Sequence, residues 1–172
     1  MMADAAEKVD PQVIATAVLT VTRGVTAGWI AGIPQVLVAQ VVGHVLGLRE
    51  RADIGPRFVK RAAEHSGRPL SPPMHWLLGA VFHFEYAASW GMGYALAVEP
   101  LGARRVPPLL SGGLLGAVIY ALAFSPLGAA TRTGTERPPE RRSGAETLVH
   151  CAAAWSFALT LSYAYRWLRE RW

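Results

Sequence analysis

Four long apolar runs, separated by polar connections, dominate the pattern of the chain. They lie near residues 24–47, 74–97, 109–129 and 146–167. Each approaches or exceeds the roughly 20 residues that a helix needs to cross a hydrocarbon layer of about 30 Å. Backbone groups that face lipid must be hydrogen-bonded internally, which favours helices for such runs. The pattern therefore predicts an all-α fold, an integral membrane bundle of four transmembrane helices in a single domain, residues 1–172.

The first apolar run is too long for one upright span. It reaches from Pro11 to Leu48, which at about 1.5 Å per residue exceeds the bilayer core. We therefore predict that residues 1–23 form an N-terminal interfacial segment and that the span begins near Gly24, with a kink at Pro34. Arg23 then lies at the membrane surface and reaches the headgroups, instead of pairing with Glu85. No basic segment precedes this run, so it is expected to stay in the mature protein rather than act as a cleaved signal.

The connection between the first two spans contains a short amphipathic pattern. Apolar residues recur there at helical spacing opposite charged ones, namely Phe58, Val59, Ala62 and Ala63 against Arg57, Lys60, Arg61 and Glu64. Such a pattern predicts a short interfacial helix in the first loop, lying on the headgroups.

Charge and composition agree with a membrane location. The chain is 52% hydrophobic and 17% charged, with a mean hydropathy of +0.24. Its basic residues lie between the apolar runs and beside their ends, which is typical of loops that set topology, so the expected partner is the lipid bilayer and not nucleic acid. The loops at 49–73 and 130–145 carry ten Lys and Arg residues, against six on the other side if Arg23 is left out. This bias predicts that both loops are cytoplasmic.

Glycines at four-residue spacing mark the first and third spans. They are Gly24, Gly28, Gly32, Gly43, Gly47, Gly112 and Gly116. Small residues at this spacing let a neighbouring helix approach closely, so these positions are predicted to pack helices together. The contact can lie within one chain, between two copies in a homodimer, or with a partner in a membrane complex.

Several polar side chains interrupt the apolar runs. The intramembrane polar candidates are His44, His75, Glu85, Tyr86 and Tyr94. On a helix, His83, Tyr86, Trp90 and Tyr94 share one face, while Glu85 points about 200° away with Leu78, Ser89 and Met92. The His83 face is predicted to pack against the glycine-lined first helix or the His150 end of the fourth. Glu85 is then expected to contact the remaining helix or a second subunit.

Candidate chemistry is limited to the histidines. His83 and His150, from different helices, could hold a haem as axial ligands, since imidazole binds iron well and aromatic side chains flank His83. The other interpretation is that neutral histidines form hydrogen bonds between helices. The single cysteine, Cys151, excludes a cysteine-rich metal site. No catalytic motif is found, so the chain is not expected to be an enzyme.

The segments "GPRFVKRAAEHSGRPLSPP" and "HFEYAASWGMGY" resemble the YagU-like family of small bacterial inner-membrane proteins. Similar features are the glycine-rich first helix, Pro56 with Arg57, His83 with Phe84, Gly91 with Tyr94, and a last helix opened by His150. The chain departs from the family pattern at Glu85 and Ala87, where glycines are usual. The resemblance implies a multi-pass protein of the inner (cytoplasmic) membrane, in a family associated with acid tolerance.

Taken together, these patterns predict a small polytopic membrane protein with a structural or accessory role, in proton or solute homeostasis under stress. One alternative is a haem-binding membrane electron carrier that uses His83 and His150. Another is a small transporter that is active as a dimer, since four spans need a second copy to enclose a pathway.

Overall fold

The computed structural model describes residues 10–48, 54–102, 105–124 and 143–172. Within these ranges every regular element is an α-helix, which confirms the all-α prediction. The helices are α1 (Pro11–Val45), α2 (Ile54–His65), α3 (Pro72–Val98), α4 (Pro108–Phe124) and α5 (Gly144–Arg171). The four long helices overlap the four apolar runs, and α2 is the short helix of the first loop. The last residues of the third run, 125–129, lie outside the described ranges.

The local sequence determines where α1 and α5 begin. The Asp10 side chain accepts a 2.8 Å hydrogen bond from the Gln12 backbone N–H, and Pro11 fills the first helical position, where no backbone donor is needed. At the start of α5, the Ser143 hydroxyl and the Glu146 carboxylate each accept a hydrogen bond from the other residue's backbone N–H. This reciprocal cap satisfies backbone donors that would otherwise have no partner at the helix start.

Helix α1 is a continuous helix of 35 residues, about 52 Å long at 1.5 Å per residue. No break occurs at residue 23 or 24, and Pro34 lies inside the helix. The stretch 11–19 is exposed along its whole length, and Thr20 is the first buried residue. The N-terminal end of α1 therefore extends beyond the packed bundle. Its interfacial placement stays a prediction, and residues 1–9 lie outside the described ranges.

Helix α1 packs against both α3 and α5, while α4 packs on α5 and α2 packs on α3. A hydrogen bond of 2.8 Å between the Tyr94 hydroxyl and the Ser111 hydroxyl joins α3 to α4. Helix α5 has the most buried residues, including Phe157, Leu161 and Tyr165. It is thus the central helix of the bundle, with Ser162 and Tyr165 buried among other helices while Tyr163 and Trp167 are exposed.

Small residues fill the interior, and large apolar residues cover the outside. The fully or almost fully buried positions of the core include Ala27, Ala31, Ala87, Ala95, Ala154 and Ala158. Exposed large side chains include Ile33, Leu37 and Val41 on α1, Leu77 and Val81 on α3, and Leu109, Leu114 and Val118 on α4. An apolar outer surface of this extent is unusual for a protein in water and marks contact with a membrane or with other proteins. Small interior residues are typical of helices that pack within a membrane.

By length and composition, α1 is the one described helix that is long and apolar enough to cross a bilayer, and α4 contains a shorter apolar stretch, Pro108–Leu122. Helix α1 lies near the N-terminal end of the sequence. A long apolar helix with exposed large side chains indicates membrane association. The finer prediction of four spans stays a prediction.

Helix α2 forms where the amphipathic pattern predicts a helix. It lies so close to α3 that a Cβ atom on Gly55 would be 2.6 Å from the Gly79 carbonyl oxygen. One turn later the Phe58 and Phe82 rings stack with centroids 4.5 Å apart. The apolar side of α2 is therefore at least partly covered by α3, while Lys60 and Glu64 stay exposed.

Candidate functional site

Glu99, just after α3, is the centre of a polar cluster at one end of the bundle. The Tyr165 hydroxyl donates a 2.7 Å hydrogen bond to Glu99 Oε1. Arg169 donates from Nε to the same oxygen at 2.7 Å and from Nη2 to Oε2 at 3.1 Å. The Glu99 and Arg169 side chains are only 24% and 23% exposed. This bidentate contact with arginine favours the ionised form of the carboxylate and fixes its orientation.

Arg23 completes this cluster from α1. Its positive charge acts on both Glu99 and Tyr165. Its Nε is buried and makes no hydrogen bond among the described residues. We call Arg23, Glu99, Tyr165 and Arg169 the Glu99 cluster. The partner of Arg23 in the electrostatic sense is thus Glu99, and not Glu85.

The charged form of Glu99 is favoured by its neighbours. Burial by itself raises the pKa of this carboxyl, but the hydrogen bonds from Tyr165 and Arg169 and the positive charges of Arg169 and Arg23 outweigh it. The net result is a pKa below the ordinary value of 4.5. Glu99 is therefore ionised near neutral pH and holds the ends of α3 and α5 together as an anion.

A group of hydroxyls lies beside the Glu99 cluster. Ser162 donates to the Pro108 carbonyl oxygen at 2.9 Å, and Ser111 pairs with Tyr94 as described above. A cavity of about 20 Å³ lies among them, and its lining includes Tyr94, Ser162, Tyr165 and Arg169. A space of this size is enough for about one water molecule. It is far below the roughly 300 Å³ that a small-molecule pocket encloses.

His83 lies between α3 and α1. Its Nε2 is 3.1 Å from the Gly32 carbonyl oxygen, which makes Nε2 the donor in this contact. This is the face toward the glycine-lined first helix that the sequence predicts. Tyr94 is buried on the same side of α3, but Tyr86 is 40% exposed and contacts Phe82 and Trp90. The prediction that Tyr86 packs inward is wrong, because the α1 contact covers only the Ala87 and Gly91 side of that face.

The other intramembrane candidates are scattered over the structure. His44 is exposed in the last turn of α1, and His75 is half-buried in the first turn of α3. Glu85 is exposed on the outer side of α3. The expectation that Glu85 contacts the remaining helix is therefore wrong for this chain by itself, because α1, α2 and α4 meet α3 elsewhere. Contact with a second subunit stays a prediction.

His83 and His150 occupy different parts of the bundle. His150 is buried in the second turn of α5, next to Val149, which packs with Ala39 of α1. His83 instead contacts α1 at Gly32, and its Nε2 is already used there. About two turns away, a Cβ atom on Gly24 would lie 2.6 Å from the Gly91 carbonyl oxygen, so α1 and α3 leave no gap at that level. This geometry does not fit a haem ligated by His83, and the structure does not bring the two histidines together.

Most of the predicted packing glycines do lie at close helix contacts. Gly24 and Gly28 face Gly91 and Ala87, and Gly32 faces His83. Gly112 faces Ser162, Gly116 faces Trp155, and Gly43 is buried.

Gly47 differs from this group, and its prediction as a packing residue is wrong. It has φ +69° in the turn that ends α1, with no atoms near the position of a Cβ. This left-handed conformation lets the Leu48 N–H return to the Gly43 carbonyl oxygen at 2.6 Å. Gly47 therefore terminates the helix instead of packing it.

Sequence reasoning missed the Glu99 cluster. Glu99 and Arg169 are separated by 70 residues and each stands at the end of an apolar run, where charges are expected for topology alone. The one available signal was the position of Glu99 at the same end of the bundle as Arg169, because helices that alternate in direction place the end of α3 beside the end of α5. Among the described residues, no three of His, Cys, Asp or Glu lie together as a metal site.

Comparisons with protein families, with curated proteins and with solved structures found no match to this chain. The architecture and its polar cluster are therefore interpreted from their own geometry.

Proposed function

We propose that this chain is a multi-pass protein of the bacterial inner membrane in which α1, α3, α4 and α5 all cross the bilayer. The observation that carries this proposal is the distribution of side-chain size, with alanine and glycine inside and large apolar residues outside. In water such a surface would cause the protein to aggregate. In a bilayer the same apolar side chains are in contact with apolar lipid tails. His83 of α3 and Ser162 of α5 face the interior, where each makes a hydrogen bond to another helix.

We further propose a structural or accessory role, in proton or solute homeostasis under stress. Two features support a stable scaffold. Helices α1 and α3 meet at backbone contact through Gly24 and Gly91. The ionised Glu99 carboxylate ties the end of α3 to α5, and the positive charge of Arg23 on α1 acts on the same carboxylate. Close packing and the hydrogen bonds of the Glu99 cluster favour one rigid arrangement of the helices. Such rigidity suits a protein that supports other membrane functions.

The membrane part of this proposal is tested by extraction of isolated membranes with alkaline carbonate, which releases peripheral proteins. We expect the chain to stay in the membrane pellet and to be released only by detergent. Release by carbonate would contradict the proposal. The scaffold role is tested with the purified protein in vesicles that contain a pH-sensitive dye, where we expect proton entry no faster than in empty vesicles. Faster entry that depends on the protein would favour the transporter alternative.

A further inference from the structure

The outward side of α3 carries a carboxyl group at its midpoint. Glu85 is the only charged residue in Pro72–Val98, and it is equally far from both ends of that helix. At 1.5 Å per residue each end is about 20 Å away. If α3 spans the bilayer, as proposed above, Glu85 lies near the centre of the hydrocarbon layer.

The described part of the chain does not shelter this carboxyl group. Glu85 is exposed, and its contact within the described residues is through its backbone carbonyl, which accepts a 2.9 Å hydrogen bond from the Ser89 hydroxyl. The opposite side of α3 is already committed to α1 through Ala87, Gly91 and Ala95. Turning Glu85 inward would break that contact. Acidic groups within a membrane segment almost always face protein or a water-filled cavity and not lipid.

Glu85 belongs to a continuous exposed strip of α3, which we call the Glu85 face. Its members recur at spacings of three or four residues and are Leu78, Val81, Glu85, Ser89, Met92 and Leu96. This spacing places them on one side of a helix and is the spacing at which two helices pack along their length. Lipid can cover the apolar members, but it offers no partner to the carboxyl group.

The Glu85 face is complementary to itself. When two copies meet about a two-fold axis, the same patch of each contacts the other, so Glu85 lies opposite Glu85. A carboxyl group in its acid form has one donor and remaining acceptor capacity, so two of them can satisfy each other. Ser89, one turn away, is small enough to let the helices approach, and the apolar residues above and below match by symmetry.

We propose that this protein forms a homodimer in which the Glu85 faces of two α3 helices pack together, with the two Glu85 carboxyl groups hydrogen-bonded across the axis. This proposal rests on the membrane location proposed above. A partner of different sequence with a membrane-embedded lysine or arginine is the competing occupant, and the test distinguishes the two.

The test uses single cysteines in a Cys151→Ser background, oxidised in isolated membranes. Ser89→Cys and Met92→Cys, both on the Glu85 face, are expected to form disulfide-linked dimers. Leu114→Cys on α4 is the control, because this position is 62% exposed and lies on a helix that packs on α5 instead of α3. It is expected to stay monomeric. Absence of linkage at both α3 positions, or equal linkage at Leu114, would overturn the proposal.

A second step tests the role of the carboxyl group. Glu85→Gln keeps a donor and an acceptor, so linkage through Ser89→Cys should be retained. Glu85→Leu removes both and should weaken dimerisation about threefold to thirtyfold, the range that hydrogen bonds between membrane helices cover. Loss of linkage with Gln as well as with Leu would overturn the acid pair, because Gln keeps a donor and an acceptor. Undiminished linkage with Leu would also overturn it.

Carbonate extraction of the same membranes tests the proposed membrane location independently of the homodimer. A chain that stays in the pellet but shows no linkage refutes the homodimer alone. A chain that carbonate releases refutes the proposed membrane location.

Discussion

Arg169 holds both carboxylate oxygens of Glu99, with Nε 2.7 Å from Oε1 and Nη2 3.1 Å from Oε2, across 70 residues of sequence. This contact fixes the last turns of α5 against the end of α3. Tyr165, one turn earlier on α5, donates to the same carboxylate. The two α5 residues therefore share one acceptor, and the charge of Glu99 should matter to stability.

Glu99→Gln is expected to lower the free energy of unfolding by about 1 kcal/mol near neutral pH, at the lower end for hydrogen bonds to charged groups because the pair is partly solvated. The pKa of Glu99 is lowered in the folded protein. Its stabilisation is therefore fully present above the ordinary value of 4.5 and is lost as pH falls through the lower folded pKa. The measurement is the difference in Tm between wild type and Glu99→Gln across this range, in detergent.

Glu170→Gln is the matched control for that experiment. Glu170 pairs with Arg166 at 3.0 Å, but both side chains are about half exposed or more, so little stability depends on it. A Tm difference for Glu99→Gln that does not shrink in acid would contradict the role assigned to the ionised carboxylate.

Gly91→Ala should destabilise the bundle by about 1–3 kcal/mol, the usual cost of forcing extra atoms into a packed interface. A Cβ at Gly91 would lie 2.9 Å from Gly28 Cα and even closer to the Gly24 carbonyl oxygen, and a backbone cannot move aside cheaply. Gly93→Ala, two residues later on the same helix, meets no atom within 4 Å. It should be neutral or stabilising by about 0.5–1 kcal/mol, since alanine favours helix over glycine. Equal Tm losses for the two variants would refute the close approach of α1 and α3.

His83→Leu should cost more thermal stability than Glu85→Gln in detergent-solubilised monomer. Leucine removes the Nε2 contact and leaves the Gly32 carbonyl oxygen with one partner fewer in the α1–α3 interface. Glutamine keeps the shape of a side chain that is exposed in the monomer. Thermal unfolding of both variants, followed by circular dichroism, decides the order. A larger loss for Glu85→Gln would show that the fold depends on the charge of Glu85.

The charge bias predicts that the loops at 49–73 and 130–145 face the cytoplasm. Single cysteines at Ser66 and Ser143, in a Cys151→Ser background, should therefore resist a membrane-impermeant thiol reagent in intact cells and react after lysis. Both positions are exposed, so burial would not explain protection. Ready labelling of both in intact cells would reverse the orientation.

The absorption spectrum of the purified protein tests the electron-carrier alternative. No haem Soret band is expected, because His83 Nε2 already contacts Gly32 and the histidines lie in different parts of the bundle. His83→Leu and His150→Leu serve as the controls. A Soret band in the wild type that either substitution abolishes would establish haem binding and overturn the scaffold role.

The sequence was sufficient for the helices but not for every contact between them. Long apolar runs predict α1, α3, α4 and α5, because hydrophobicity over a run of that length is a strong local signal. Helical spacing also places His83 and Tyr94 on the side of α3 that faces other helices. Helical spacing did not distinguish these two residues from the exposed Tyr86, since a helix face about 100° wide is broader than the strip of α3 that α1 covers.

Contacts between distant residues had no local signal. Arg169 and Glu99 each follow the ordinary pattern of charges at span ends, and only the packed structure shows that they meet. Gly47 matched a packing motif by spacing alone, while its φ of +69° depends on where α1 ends. In both cases three-dimensional position decides a role that residue type leaves open.

The small-residue interior also determines how the stability of the bundle responds to temperature. If the helices lie in a bilayer, as proposed, their separation leaves alanine and glycine surfaces such as those of Ala27, Ala95 and Ala154 covered by lipid tails and not by water. The large heat-capacity increase that accompanies unfolding of water-soluble proteins arises from hydration of apolar surface. Helix separation in this protein should therefore have a small heat-capacity change, a nearly straight stability curve and no cold-induced loss of structure.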